Sequence, residues 1–227
     1  MSARVAAGLL AGALLGFSPA TLGGAAGAGN GLRIAFLPCE DIETTFRKFH
    51  PLLTYLESVT GLTVTLTVPG GLAEFETGTA NGAIDLALQD PHTYRQLSHL
   101  FDDASLVQVR GLGATTRQFA VVLVRRDSGV SDLAGLRGKT VMFGPLASST
   151  KWVAARRLFE SRGLRHDRDL RRVHGGCCED IAFAVSVKAV DAGLTCDHFL
   201  ARHGARQKEL GIDPSSLAVI GRTAPVP

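Results

Sequence analysis

The sequence predicts an α/β protein folded as two lobes. Three observations carry that expectation. Short runs rich in Val, Ile, Leu and Thr alternate with stretches of helical periodicity along most of the chain. The alternation occurs twice over, without the residues themselves repeating. After an N-terminal segment of different composition, about 200 residues remain, which suits one large domain or two small lobes.

Residues 33–37 read as the first strand, ending at Pro38 and Cys39. The next run places Ile42, Phe46, Phe49, Leu53 and Leu56 on one helix face, with Gly61 as terminator and Pro51 expected to kink or divide it. Residues 63–68 alternate and are β-branched, the pattern of a strand. Residues 72–81 form a short helix closed by Gly82, and 83–88 read as a buried strand. Asp90 and Pro91 open another short helix, with an acidic cap and proline at its first position. Strands are expected at 106–111 and 119–125.

Beyond the turn Asp127-Ser128-Gly129, residues 133–138 are a short helical link and 140–143 a strand. That strand enters the loop Gly144-Pro145-Leu146-Ala147-Ser148-Ser149. Residues 150–163 read as a helix, 171–174 as a strand, 179–190 as a helix, and 192–196 and 217–220 as strands. In the helix after 174, Ile181, Ala184, Val185 and Lys188 share one face. Parallel βαβ units are the economical arrangement of such alternation.

The N-terminus sets the compartment. Arg4 is followed by an apolar run, residues 6–17, too short to span a bilayer comfortably, and then by small residues including Ala26-Gly27-Ala28. This is the pattern of a secretory signal peptide, with a retained anchor as the alternative. The expected division is a leader at 1–28, a first lobe at 29–115, a second lobe at 116–220, and a return segment at 221–227 toward the first lobe.

The formal charge of +3 drops to +2 without Arg4. The arginines between Arg156 and Arg172 form the one basic cluster, read as a solvated helix face and its exit loop. An exported chain without interleaved aromatics gives no support to nucleic-acid binding.

Four cysteines, Cys39, Cys177, Cys178 and Cys196, stand in this chain. All follow predicted strands, on the rim where an open α/β sheet binds ligands. His174 and His198 belong to the same rim. Cys177 and Cys178 also open a predicted helix, where the dipole favours thiolate. No CxxC is present. The thiols can form a disulfide, remain unpaired, or ligate a soft metal or metalloid through Cys177, Cys178, Cys196 and His198.

Ser148, Ser149 and Thr150 lie between a strand and a helix, so hydroxyls and free N–H groups converge at the positive end of a dipole. That arrangement holds an oxyanion, although Ser148 or Ser149 can equally serve as a plain N-cap. Lys151 either adds a cationic donor or points to solvent. Trp152 reads as packing. Asp90 can be a helix cap or an acceptor, and Asp197 a cap or an acceptor from a protonated ligand. Glu40 and Asp41 read as a solvated loop, and His50, His99, His166 and His203 as exposed.

Several segments, taken in order, resemble the phosphate/phosphite/phosphonate class of ABC-transporter substrate-binding proteins, within the type II periplasmic-binding fold. They are residues 32–38, 50–57, 83–87, 126–129, 136–144, 148–150, 190–193 and 223–227. The resemblance implies a ligand cleft between lobes, a small oxyanion ligand, a permease partner, a monomer, no cofactor and no enzymatic activity. It also places Tyr94 at an aromatic contact position, so that the candidate ligand set is Tyr94, Ser148, Ser149, Thr150, Cys177, Cys178, Cys196 and Asp197.

The chain departs from the pattern at Pro145, where relatives have an acidic residue, and at Lys151, where they have glycine. Relatives also continue past the final segment, so the chain reads as C-terminally truncated. A second function follows from the cysteines: a periplasmic sensor binding arsenite or a soft metal for a membrane receptor. Thiamin-pyrimidine synthases share the broad fold, but no nucleophile–base constellation supports an enzyme here.

Overall fold

The computed structural model describes residues 31–37, 42–102, 106–109, 116–197, 199–202 and 209–226. The expected leader, Cys39, Glu40, Asp41, His198, His203 and residues 110–115 lie outside them.

The first half is built from β1 (Gly31–Phe36), α1 (Ile42–Thr60), β2 (Thr63–Thr67), α2 (Leu72–Ala80), β3 (Leu86–Leu88) and α3 (Pro91–Leu97). Its sheet has the order β2-β1-β3, with both pairings parallel. Ile34, Phe36, Leu53 and Val64 pack on one face, and Ala35, Phe75 and Leu97 on the other. Arg33 on β1 reaches the loop before β3. Its guanidinium makes two 2.8 Å bonds to the Asp85 carboxylate, and its N–H makes a third. Those contacts hold the Asp85 carboxyl below the usual carboxylate range.

Four expectations for this half need correction. Pro51 does not divide the helix: α1 runs unbroken over 19 residues, because a proline removes one backbone bond while the packed face holds the turns on either side. The buried face is rotated from the expected one. Thr45, Phe49, Leu53 and Leu56 turn inward, whereas Ile42 is 68% exposed and Phe46 also faces out. Strand 83–88 shrinks to β3, since Ala83 is tied to Gly78 O and Asn81 Oδ1 in the turn. Residues 106–109, within the strand expected at 106–111, belong to no strand.

The second half contains β4 (Ala120–Arg125), β5 (Thr140–Phe143), α4 (Ala155–Ser161), β6 (Arg171–His174), α5 (Cys178–Ser186), β7 (Ala192–Cys196), α6 (Phe199–Arg202) and β8 (Leu217–Arg222). Its five strands run in the order β6-β5-β7-β4-β8. β5 pairs in parallel with β6 and β7, as βαβ units require, but β4 lies antiparallel between β7 and β8. Every residue from Ala120 to Val124 is buried. One face of the sheet packs on Leu136, Phe143, Trp152, Phe159 and Leu164, and the other on Ala182, Val185, Phe199 and Ile212.

Two helices differ from expectation. The one after β5 begins at Ser149 as a π-helical segment, Ser149–Ala154, before tightening into α4. α5 ends at Ser186, and Lys188 lies past its end in the left-handed region at φ 65° rather than on the helix face. The final segment runs back along the approach to β4: Gln118 pairs with Val226, and Thr223 Oγ1 accepts from the Ala120 N–H at 2.9 Å. Among the described residues, no helix is long and apolar enough to cross a membrane.

Candidate oxyanion site between the two sheets

Strand β5 delivers the chain into residues 144–148 and then into the π-helical segment. Ser148 caps that segment, its hydroxyl accepting from the Lys151 N–H at 3.1 Å and lying 3.4 Å from the Thr150 hydroxyl. A π-bulge widens one helical turn, and such turns recur at functional sites. Here the widened turn folds the Lys151 stem onto Gly144. A Cβ at position 144 would lie 2.5 Å from Lys151 Cβ, so the loop needs glycine there for close approach.

Lys151 does not point to solvent. It is 5% exposed, and its Nζ donates to Gly176 O at 3.2 Å and stands 3.9 Å from Cys178 Sγ. His174 supports the same loop through Nδ1 and Gly144 O, 2.8 Å apart. Trp152 packs edge-on to Phe143, as expected of a core residue. The basic stretch is less solvated than its composition suggests. Arg156 and Arg172 both lie over the Trp152 ring, at 5.0 and 5.3 Å from its centroid. His166 is half-buried beside them rather than exposed, and burial, then the two arginines, lower its pKa.

The contact that defines the site comes from the other half of the molecule. Asp90 caps α3 by accepting from the His92 N–H at 2.8 Å, as its sequence predicts. The same carboxylate also accepts from the Ser149 N–H at 3.0 and 3.1 Å and from the Ser149 hydroxyl at 3.0 Å. Two helical N-termini thus share one carboxylate. Sequence reasoning gave the cap and missed the bridge, since nothing local links positions 59 residues apart.

Asp90 also borders a cavity of about 600 Å³. Phe36, Phe49, Lys48, Gln89 and Tyr94 line it together with residues 106–109. Tyr94 therefore sits on the cavity, its ring 6.0 Å from Phe101. Gln89 Oε1 is buried there without a hydrogen-bond partner among the described residues. Asp197 follows β7, where its N–H donates to Phe119 O at 3.1 Å.

The described cysteines divide into a pair and a cap. Cys178 Sγ accepts from the Cys196 N–H at 3.2 Å, and the two thiols are themselves hydrogen-bonded. Cys177 is buried at the start of α5. Its sulfur accepts from the Asp180 N–H at 3.5 Å, while the Asp180 carboxylate accepts from the Cys177 N–H at 3.3 Å. No disulfide joins Cys177, Cys178 and Cys196 to one another.

The expected bias toward thiolate is overturned. Burial pushes the Cys177 thiol up to about 12, and the hydrogen bond with Cys196, followed by burial, raises Cys178 well above its ordinary value. Desolvation outweighs the helix dipole at Cys177, and the contact with Cys196 together with burial does so at Cys178. Among the described residues, no group of three or more His, Cys, Asp and Glu is placed to hold a metal ion.

Comparison with known proteins agrees with this architecture. Residues 34–227 match the family model for the periplasmic substrate-binding protein of phosphonate ABC transporters. The binding-protein component of a Pseudomonas aeruginosa phosphonate transporter superposes with a TM-score of 0.73 at 17% identity, over 87% of this chain and 66% of that one. Prochlorococcus marinus PhnD1, solved with methylphosphonate, gives 0.73 at 15% identity, over 86% and 73%. The aliphatic sulphonate binding protein SsuA of Escherichia coli gives 0.52 at 20% identity, over 86% and 57%. The chain thus spans about two thirds of the length of the Pseudomonas protein. It belongs to the phosphonate ABC-transporter substrate-binding family, whose members bind solutes and are not enzymes, and it has the type II periplasmic-binding fold.

Proposed function

We propose that this chain captures a phosphonate-, phosphite- or phosphate-like oxyanion outside the cytoplasm and presents it to an ABC permease. The family places such proteins on the extracytoplasmic side, in keeping with a cleaved leader at 1–28. In this reading the two sheets are the cores of lobes at 29–115 and 116–220. Residues 221–227 return toward the first, and the lobes close on the ligand by hinge motion.

One observation carries the reading: the Ser149 N–H and hydroxyl already seat a carboxylate. Donors that converge on Asp90 oxygens at a helical N-terminus have the geometry for an oxyanion's oxygens. Ser148 and Thr150 add hydroxyls beside them, Lys151 adds a buried positive charge, and Tyr94 faces the adjoining cavity. Calorimetry with phosphate, phosphite and methylphosphonate tests this. Replacing Ser149 and Thr150 together by Ala removes charge-assisted donors, each contributing about 1–3 kcal/mol. Affinity is expected to fall tenfold or more; an unchanged affinity removes the loop from the site.

A second reading, a sensor taking arsenite or a soft metal, is favoured by the contact between Cys178 and Cys196. Native mass spectrometry of the reduced protein with arsenite and with zinc separates the two. A bound metalloid that protects both thiols from alkylation selects the sensor.

A further inference from the structure

We propose that Asp90 sets the charge state of the ligand, so that the site takes a singly charged oxyanion carrying a proton and rejects one without. The inference rests on the oxyanion reading above. The carboxylate is anchored twice. It caps α3 through the His92 N–H at 2.8 Å, and it accepts from both donors of Ser149 at 3.0–3.1 Å. An oxyanion arriving at residues 148–150 can share the Ser149 donors with it, but the cap on α3 keeps the carboxylate within reach of the ligand.

Two oxyanions packed within hydrogen-bond distance repel strongly unless one proton lies between them. A hydrogen phosphonate or hydrogen phosphite supplies that proton as an O–H donor to Asp90. A doubly ionised phosphonate does not, and neither does a sulfonate, which stays singly charged with no proton to give. Recognition of a ligand hydroxyl by a fixed acceptor, here the half-buried Asp90, discriminates because the analogue lacking it leaves the acceptor facing bare negative charge.

The other charged or titratable groups around Asp90 are Lys48 on α1, His92 and Tyr94 on α3, and Lys151 in the segment after Ser149. Of these, His92 is the imidazole on the same helix as the carboxylate, so a His92→Gln variant serves as a control.

The test is calorimetry on the full chain with methylphosphonate at one pH where the ligand carries one charge and at a second where it carries two. Methanesulfonate, whose charge is the same at both, is the reference. The wild-type protein is expected to bind methylphosphonate at least tenfold more tightly at the lower pH, and methanesulfonate at least tenfold more weakly than that. Asp90→Asn keeps a good cap and offers an amide donor. It is expected to lose the pH dependence and to gain binding of methanesulfonate and of the doubly charged phosphonate, with His92→Gln behaving as wild type.

Equal affinity at the two pH values, or selection unaltered in Asp90→Asn, overturns this inference and leaves the oxyanion reading intact. A pH dependence lost in His92→Gln instead overturns it in favour of the imidazole. If neither anion binds to wild type or variant, both the inference and the oxyanion reading fall.

Discussion

The two halves of the molecule bury their side chains to different degrees. The five-stranded half has a continuous interior on both faces of its sheet, with Phe143, Phe159, Leu123, Leu194, Ile181 and Phe199 sealed from solvent. The three-stranded half holds two small clusters, and Ile42, Phe46, Leu52, Tyr55 and Val59 of α1 remain exposed. The large cavity also lies against this thinner half. Dense packing and the cavity thus fall in different halves. In the proposed reading the second half is the platform that carries the oxyanion donors, and the first contributes Asp90, Tyr94 and a cavity wall. Sites work best when their donors sit on the stiffer partner.

The largest expected effect tests that contrast in the cores. Phe143→Ala empties a site enclosed by Trp152 and Phe159 and should cost about 3–5 kcal/mol in urea unfolding. Phe36→Ala, stacked on Phe49 but bordering the open cavity, should cost clearly less, because part of its surroundings is already unfilled. Equal losses would erase the distinction between platform and wall.

A smaller effect is expected at the joint of the platform. Gly144→Ala forces its new methyl against Lys151 Cβ and Cε and should destabilise by about 1–3 kcal/mol, the range for overpacking. Oxyanion affinity should fall with it, because the displaced segment carries Ser149 and Thr150. Intact affinity with lowered stability would show that the loop tolerates the shift.

The smallest effect concerns the thinner half. Asp85 has a depressed pKa in the folded state because of Arg33. Its contribution is therefore present above the unfolded carboxylate pKa and is lost as pH falls through the lower folded value. Asp85→Asn should lower the melting temperature slightly at neutral pH, by less at pH 3, and not at all once both carboxyl forms are protonated. The pair is partly exposed, which limits its weight. A difference that grows toward acid would reverse the assignment.

Much of the fold was legible in the sequence because the signals are local. β5, β6 and β7 lie at the residues where strands were expected. Asp90-Pro91 gave the start of α3, and the hydroxyls after β5 marked the helical N-terminus. The register of α1 was not legible. Its apolar residues fit two adjacent faces, and contact with Phe36 and Val64 chose the one containing Thr45 and Phe49. The antiparallel course of β4 also escaped, since strand direction depends on partners far along the chain.

The sequence by itself determined the alternating elements, the glycine-permitted loop before Ser148 and the chemical types gathered at the strand ends. Their periodicities and caps act within a few residues. The tertiary structure alone decided that Asp90 meets Ser149, that Cys178 rather than Cys177 meets Cys196, and that Lys151 turns inward. Each of these is a contact between elements brought together by burying the sheets. Burial fixes which side chain faces which neighbour only when the packed layers close, and the same burial raises the Cys177 thiol pKa where local sequence pointed to thiolate.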